Sequence, residues 1–183
     1  MKKVYLESVR LSFVPPAEKD LNEIEALMGD PLKSNHPGNL PQGSQIPRIS
    51  RRITDHWKTH DFGTCLIYFR ENNRLIGLGG MKELVIEEET VIDLGLMLLR
   101  EYQKMGLGEE AGHALIDHAF HFHGFSRLVA NTDDNNPAAK SLLTKWGFKF
   151  VRLVNYEIEG IPFQNSQLWE LKRKHSSRGA TRP

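Results

Sequence analysis

The feature that most constrains this chain is the octet Glu101-Tyr102-Gln103-Lys104-Met105-Gly106-Leu107-Gly108, which joins an apolar strand-like run, Val91 to Leu99, to a helix pattern reaching about His123. Glycines at 106 and 108 permit a sharp turn and leave no Cβ between the backbone N–H groups and an incoming anion. The following helix turns its unsatisfied N–H groups and the positive end of its dipole toward the same place, so a pyrophosphate fits there. Leu107, Ala111, Ala114, Leu115, His118, Ala119 and Phe122 form the helix's apolar stripe, Glu109 and Glu110 suit its first turn, and Gly124 is placed to end it. Gly-x-Gly-x-x-Gly is absent and no Gly-Lys-Ser/Thr follows, so the loop is neither the dinucleotide fingerprint nor a P-loop, and a different nucleotide ligand is implied. A Gln-x-x-Gly-x-Gly string also serves as a plain tight connection, so the rest of the chain must decide.

With 183 residues, 39% of them hydrophobic and 26% charged, the chain can bury one sizeable core without staples or metals, which predicts a single domain. A net charge of +1 argues against a nucleic-acid-binding surface. Lys172, Arg173, Lys174, Arg178 and Arg182 carry no interleaved aromatics, so residues 172–183 read as a solvated, disordered basic tail on a domain spanning 1–171. Cys65 is the lone cysteine, which excludes an internal disulfide and predicts a buried apolar role. The opening residues carry charge where a signal peptide needs an apolar core, and no membrane-spanning run exists; a cytoplasmic protein without a membrane partner is expected.

In chain order, Val4 to Val14 reads as a strand stopped by Pro15-Pro16, and Glu18 to Met28 as a helix ended by Gly29-Asp30-Pro31. The Pro-rich stretch Gly29 to Pro47 is too long for a plain connector and is either filler or a substrate-side loop. Ile49, Ile53 and Trp57 suggest a second helix. Thr64 to Phe69 and Leu75 to Met81 form an expected hairpin, and Glu87-Glu88-Glu89 a solvated turn before the strand from Val91. Arg127 to Thr132 reads as a strand; Asn136 caps a helix with Pro137 first and its end marked by Lys145 and Gly147. Phe148 to Ile158 and Gln167 to Leu171 make a C-terminal hairpin about Glu159-Gly160. The sum is an α/β or α+β domain with a mixed sheet of about six or seven strands flanked by helices.

Read together, Asp93-Leu94-Gly95, the octet with Glu109-Glu110-Ala111, and Asn136-Pro137-Ala138-Ala139 leading to Lys145-Trp146-Gly147-Phe148 resemble the GNAT acetyltransferases. Leu6-Glu7-Ser8-Val9-Arg10-Leu11, Gly29-Asp30-Pro31 and Arg74-Leu75-Ile76-Gly77 resemble the branch that acetylates ribosomal-protein N-termini, so the likeness covers nearly the whole domain. The resemblance implies a splayed central sheet, acetyl-CoA as co-substrate with no metal, and transfer of acetyl to an amine. The acceptor is then a protein N-terminus, polyamine, amino acid or antibiotic, and the protein a monomer or homodimer. It assigns the pyrophosphate to the backbone of Gln103, Lys104, Met105, Gly106, Leu107 and Gly108, and pantetheine to the main chain of about Met97, Leu98 and Leu99. Asn131, Asn136, Ala139 and Lys140 would lie beside the cofactor arm, although Asn136 also suits a plain N-cap. Where many members carry a tyrosine that protonates the departing thiolate, this chain has Leu143.

The chemistry needs a neutral amine, a polarised thioester and release of a thiolate whose parent pKa, about 8.5 for a cysteine-like thiol, makes a dedicated acid optional. Asp93 is the candidate base, with an ordinary strand carboxylate as the competing reading. Ser141 and Tyr156 are the candidate hydroxyls for protonating the thiolate. Histidines 113, 118, 121 and 123 lack a second cluster at ligand spacing and read as helix-surface or satisfied core residues. Two other functions fit the same residues: a non-catalytic acyl-CoA sensor, suggested by Leu143, and an interaction module using the 29–47 loop.

Overall fold

The computed structural model describes residues 3–29 and 43–174. Eight strands form one sheet in the order β1-β2-β3-β4-β5-β6-β8-β7. They are β1 (Leu6–Glu7), β2 (Leu11–Val14), β3 (Thr64–Phe69), β4 (Arg74–Ile86), β5 (Glu89–Leu98), β6 (Arg127–Thr132), β7 (Lys149–Ile158) and β8 (Ile161–Lys172). Among the described residues four α-helices flank them: α1 (Leu21–Gly29), α2 (Gln45–Thr59), α3 (Leu107–Asp117) and α4 (Pro137–Lys145).

The expected strand from Val4 to Val14 is two short strands, because the chain reverses at Ser8–Arg10. Ser8 N–H bonds Leu11 O at 2.9 Å, and Val9 projects 86% exposed from the turn. The helix expected from Glu18 opens with a 3-10 turn, Glu18–Asp20, whose Asp20 carboxylate accepts from Ala17 N–H at 2.9 Å. The Glu87-Glu88 turn forms as expected, both residues holding positive φ, 49° and 71°, as a two-residue hairpin connection demands. It extends the hairpin strand well past Met81, to Ile86. In the last hairpin β8 begins at Ile161, earlier than expected, because Glu159 and Gly160 make an equally tight turn with φ of 53° and 74°. β8 runs through Lys172, one residue past the expected domain end; residues 175–183 of the expected tail, and residues 30–42 of the Pro-rich loop, lie outside the described set.

Of the expected stripe Leu107, Ala111, Leu115 and Ala119 are fully buried and Ala114 and His118 half-buried, but Phe122 is 71% exposed. A π turn, His118–Phe122, closed by His123 N–H to His118 O, inserts one residue into the helical phase and brings Phe120 to the core instead. α3 and α4 cover one face of the sheet through Leu107, Leu115 and Leu143 against Met81, Leu94 and Leu128. α1 and α2 cover the other, with Ile24, Leu27 and Met28 against Leu66 and Leu78. Cys65 is fully buried, as expected.

The pairing between β5 and β6 positions the site. Antiparallel ladders run along every other pair of neighbours, whereas β5 and β6 are parallel and matched only at Asp93 and Val129. Beyond that point the sheet is splayed, and a row of β5 backbone groups is left without strand partners.

Candidate active site

A cleft of about 700 Å³ occupies the splay. Consecutive residues Asp93 to Leu98 all line it, although side chains alternate faces along a strand; the cleft therefore wraps the open edge of β5 and passes through the sheet. Ala130, Asn131 and Thr132 line the opposing edge of β6. One end reaches the glycine loop and α4, and the other is walled by α2 and the β7–β8 hairpin.

At the first end Gly106 holds φ +77° as the residue before α3, a conformation a side chain resists. The loop is braced from outside. Glu110 in the first turn of α3 accepts from Ser8 Oγ, Arg10 N–H and Arg10 Nε, each at 2.7 Å, and Arg10 Nη1 donates to Met105 O at 3.1 Å. Burial pushes the Glu110 carboxyl up, but these donors outweigh it and hold the group below the usual carboxylate range. The sequence placed Glu110 by its helix-turn preference and within the resembling motif, but its partners lie about a hundred residues away and are invisible without the fold.

Of the residues singled out from sequence, Asp93, Met97, Leu98, Gln103, Lys104, Gly106, Gly108, Asn131, Asn136, Ala139, Ser141 and Tyr156 line the cleft. Leu99, Met105, Leu107 and Lys140 do not. Leu99 packs between the cores, Met105 turns outward at 48% exposure, Leu107 is fully buried, and Lys140 pairs with Asp134 at 3.1 Å. Asn136 Oδ1 accepts from Ala139 N–H at 3.0 Å, so its side-chain oxygen is committed to capping α4. Leu143, in the tyrosine position, is buried.

At the splay point Asp93 is 5% exposed, and both its oxygens are engaged. Lys82, its cross-strand partner on β4, donates to Oδ2, and Asn131 Nδ2 donates to Oδ1 at 3.0 Å. Asn131 Oδ1 is then left buried with no hydrogen-bond partner. The Tyr156 ring stacks on Phe163, with centroids 4.9 Å apart. Burial, and secondarily the Asp93 charge, push its phenol up, keeping it a neutral O–H donor, while a bond with Ser166 acts the other way.

Lys82, Arg52, His56 and Phe163, not singled out from sequence, also line the cleft. Lys82 was within reach of strand alternation, since hairpin register sets it opposite Asp93. His56 has both ring nitrogens fixed: Nδ1 faces Phe62 O at 2.9 Å and Nε2 takes Glu83 N–H at 3.2 Å, the pattern of a neutral ring protonated at Nδ1. Burial, then the neighbouring His60, lower its pKa accordingly. His118 departs from the satisfied core histidine expected of it, for its Nε2 is buried without a partner.

A parted sheet with a glycine loop at the head of a helix on one side of the gap defines an acyltransferase architecture of the GNAT type. The family model "Acetyltransferase (GNAT) domain" matches residues 10–149, and the chain belongs to that family. It is 26% identical over 85 residues to the uncharacterized protein YkkB of Bacillus subtilis (strain 168); the match spans 46% of this chain and 49%, about half, of that relative. The fold is shared with a spermidine N-acetyltransferase from Vibrio cholerae solved with CoA and spermine, at TM-score 0.69 and 16% identity over 90% of this chain and 96% of that one. It is also shared with the ribosomal-protein-S5-alanine acetyltransferase from Vibrio fischeri, at TM-score 0.65 and 14% identity over 91% and 94% of the two chains. Among the described residues no helix is long and apolar enough to cross a membrane.

Proposed function

We propose that this chain is an acetyl-CoA-dependent N-acetyltransferase in which a primary amine attacks the acetyl group directly within a ternary complex. The observation that carries the reading is the single β5–β6 register pair, Asp93 with Val129, because it opens a passage joining the glycine loop to a separate chamber. A two-ended passage accommodates two substrates at once. Acetyl-CoA supplies the activated thioester; the residues present suit it, since the loop offers backbone N–H groups without intervening Cβ atoms and the free β5 edge offers main-chain partners for amides.

In this reading Asp93, as the base, takes the ammonium proton, and Asn131 holds the carboxylate in place through its Nδ2. Because both Asp93 oxygens are already bonded, Asp93 acts by sharing one with an acceptor N–H or a water. The nitrogen forms a bond to the acetyl carbon, the carbon–sulfur bond breaks, and the thiolate is met by the neutral Tyr156 hydroxyl or by Ser141 at the cleft wall. Within the family, the matches to the opening segment and to Arg74-Leu75-Ile76-Gly77 favour the branch acting on protein N-termini. The test is calorimetric titration with acetyl-CoA followed by thiol release with an amine panel. Binding with amine-dependent release is expected. Binding without release from any amine indicates the acyl-CoA sensor, and no binding overturns both.

A further inference from the structure

We infer that the acceptor is a primary monoamine with an apolar body, and that the acceptor chamber discriminates against polyamines. The inference rests on the acetyltransferase reading and concerns the half of the cleft beyond the splay point.

Its walls are apolar over most of their extent. Met28, Ile49, Ile53, Ile158 and Phe163 line it from α1, α2 and the β7–β8 hairpin. Such a surface gains by covering the hydrocarbon part of a ligand and loses by stripping water from a second ammonium group. The fixed charges point the same way. Asp93 is the one acid lining this half among the described residues, and Lys82 already neutralises it. Arg52 lines the same half and is 3.1 Å from Glu159 in the hairpin turn, so that carboxylate is matched as well. His56 adds no negative charge and is held neutral by its two backbone partners. Over the whole cleft the ionisable wall residues are two acids, Asp93 and Glu109, against four cations, Arg52, Lys82, Lys104 and Lys145, with Glu109 itself 2.8 Å from Lys145. Residues 30–42 hold one acid, Asp30, against Lys33, so their charge does not tip this balance toward the negative.

A surplus of positive charge suits the anionic co-substrate at the glycine-loop end. In the chamber the charges are matched, so the extra ammonium groups of a polycation find no free carboxylate and would have to compete with Arg52 and Lys82 for Glu159 and Asp93. One nitrogen is nevertheless provided for. Asp93, the base of the proposed reaction, lines the cleft at the splay point, and the single amine that reacts is to sit beside its carboxylate.

The experiment measures kcat/KM for thiol release by the full-length protein with acetyl-CoA and matched acceptors: 2-phenylethylamine and leucinamide as apolar monoamines, spermidine and spermine as polyamines. The expected result is a preference of at least about tenfold for the monoamines, a difference of about 1.4 kcal/mol. In Arg52→Glu that preference is expected to shrink by about tenfold or reverse, with acetyl-CoA affinity by calorimetry unchanged. Because Arg52 also donates to Glu83 O at 3.1 Å, Arg52→Gln, which keeps a donor, is measured in parallel, with a smaller shift in the same direction expected. Native preference for spermidine or spermine overturns this inference and leaves the acetyltransferase standing. A preference that neither Arg52 variant moves overturns the charge argument. Acetyl-CoA binding with no release from any amine overturns the acetyltransferase reading itself.

Discussion

In the proposed reaction, single residues are decisive in two places. At Gly106 the backbone must hold positive φ while its N–H groups stay open to an anion. Gly106→Glu adds a side chain strained in that conformation, its Cβ 3.5 Å from the Arg10 guanidinium that braces the loop, so the loop is expected to shift and acetyl-CoA affinity to fall by more than about tenfold in a folded protein, measured by calorimetry. At Asp93 the question is whether the carboxylate moves a proton or only anchors Lys82 and Asn131. If it is the base, Asp93→Asn lowers turnover by about 10²–10⁴-fold near neutral pH, and the deficit shrinks as pH rises and solution supplies neutral amine. If it is structural, the variant loses thermal stability and keeps turnover per folded molecule. The pH–rate profile, taken beside the melting temperature, separates the two.

At the scale of elements, the glycine loop depends on a hairpin far away in sequence. Glu110 ties α3 to the β1–β2 turn through Ser8 and Arg10, and Arg10 reaches on to Met105. Glu110→Ala is expected to raise KM for acetyl-CoA several-fold with little change in KM for the amine, because in the proposed function the loop it braces faces only the first substrate. Steady-state kinetics with each substrate varied in turn checks this. The α3–α4 contact is equally specific. A Cβ built on Gly112 comes 1.9 Å from Trp146 Cε2, so only glycine lets the indole lie against the helix. Gly112→Ala is expected to cost about 1–3 kcal/mol, each kcal/mol lowering Tm by about 2–4 °C in a chain of this size, as calorimetric melting would show.

For the whole molecule, three half-buried histidines tie stability to pH. Burial, as the leading cause, holds His56, His118 and His123 below their ordinary 6.5. Their folded values are depressed, so on acidification the unfolded chain takes up protons first. The stability they contribute is present above about pH 6.5 and is lost as pH falls from there toward the folded values. Glu110 and Glu170 are also depressed, but from 4.5, so they act in a lower window. Tm measured from pH 7.5 down to 5 is expected to fall, and His118→Phe, which removes one of the three groups, to flatten that fall. A Tm independent of pH over this range would falsify the assignment.

By itself the sequence determined what local rules encode. The α4 boundaries at Pro137 and Lys145, β6 from Arg127 to Thr132, the Glu87-Glu88 turn and the loop–helix junction at Gly106 all follow from caps, turn residues and apolar period, each written within a few neighbouring positions. It also placed twelve of the named site residues on one cleft, because a strand, a glycine loop and a capped helix in that order leave few ways to pack. Tertiary structure alone decided the rest. The π turn that swaps Phe120 for Phe122 arises from packing, not from a local signal. The Arg10–Glu110 brace joins residues about a hundred apart, and the pairing of Asp93 with Lys82 and Asn131 requires strand register across three strands. Arg52 and His56 come from a helix whose own pattern says only which side is apolar. Local propensity acts over a few residues, whereas charge matching and cleft shape are properties of groups the fold alone brings together.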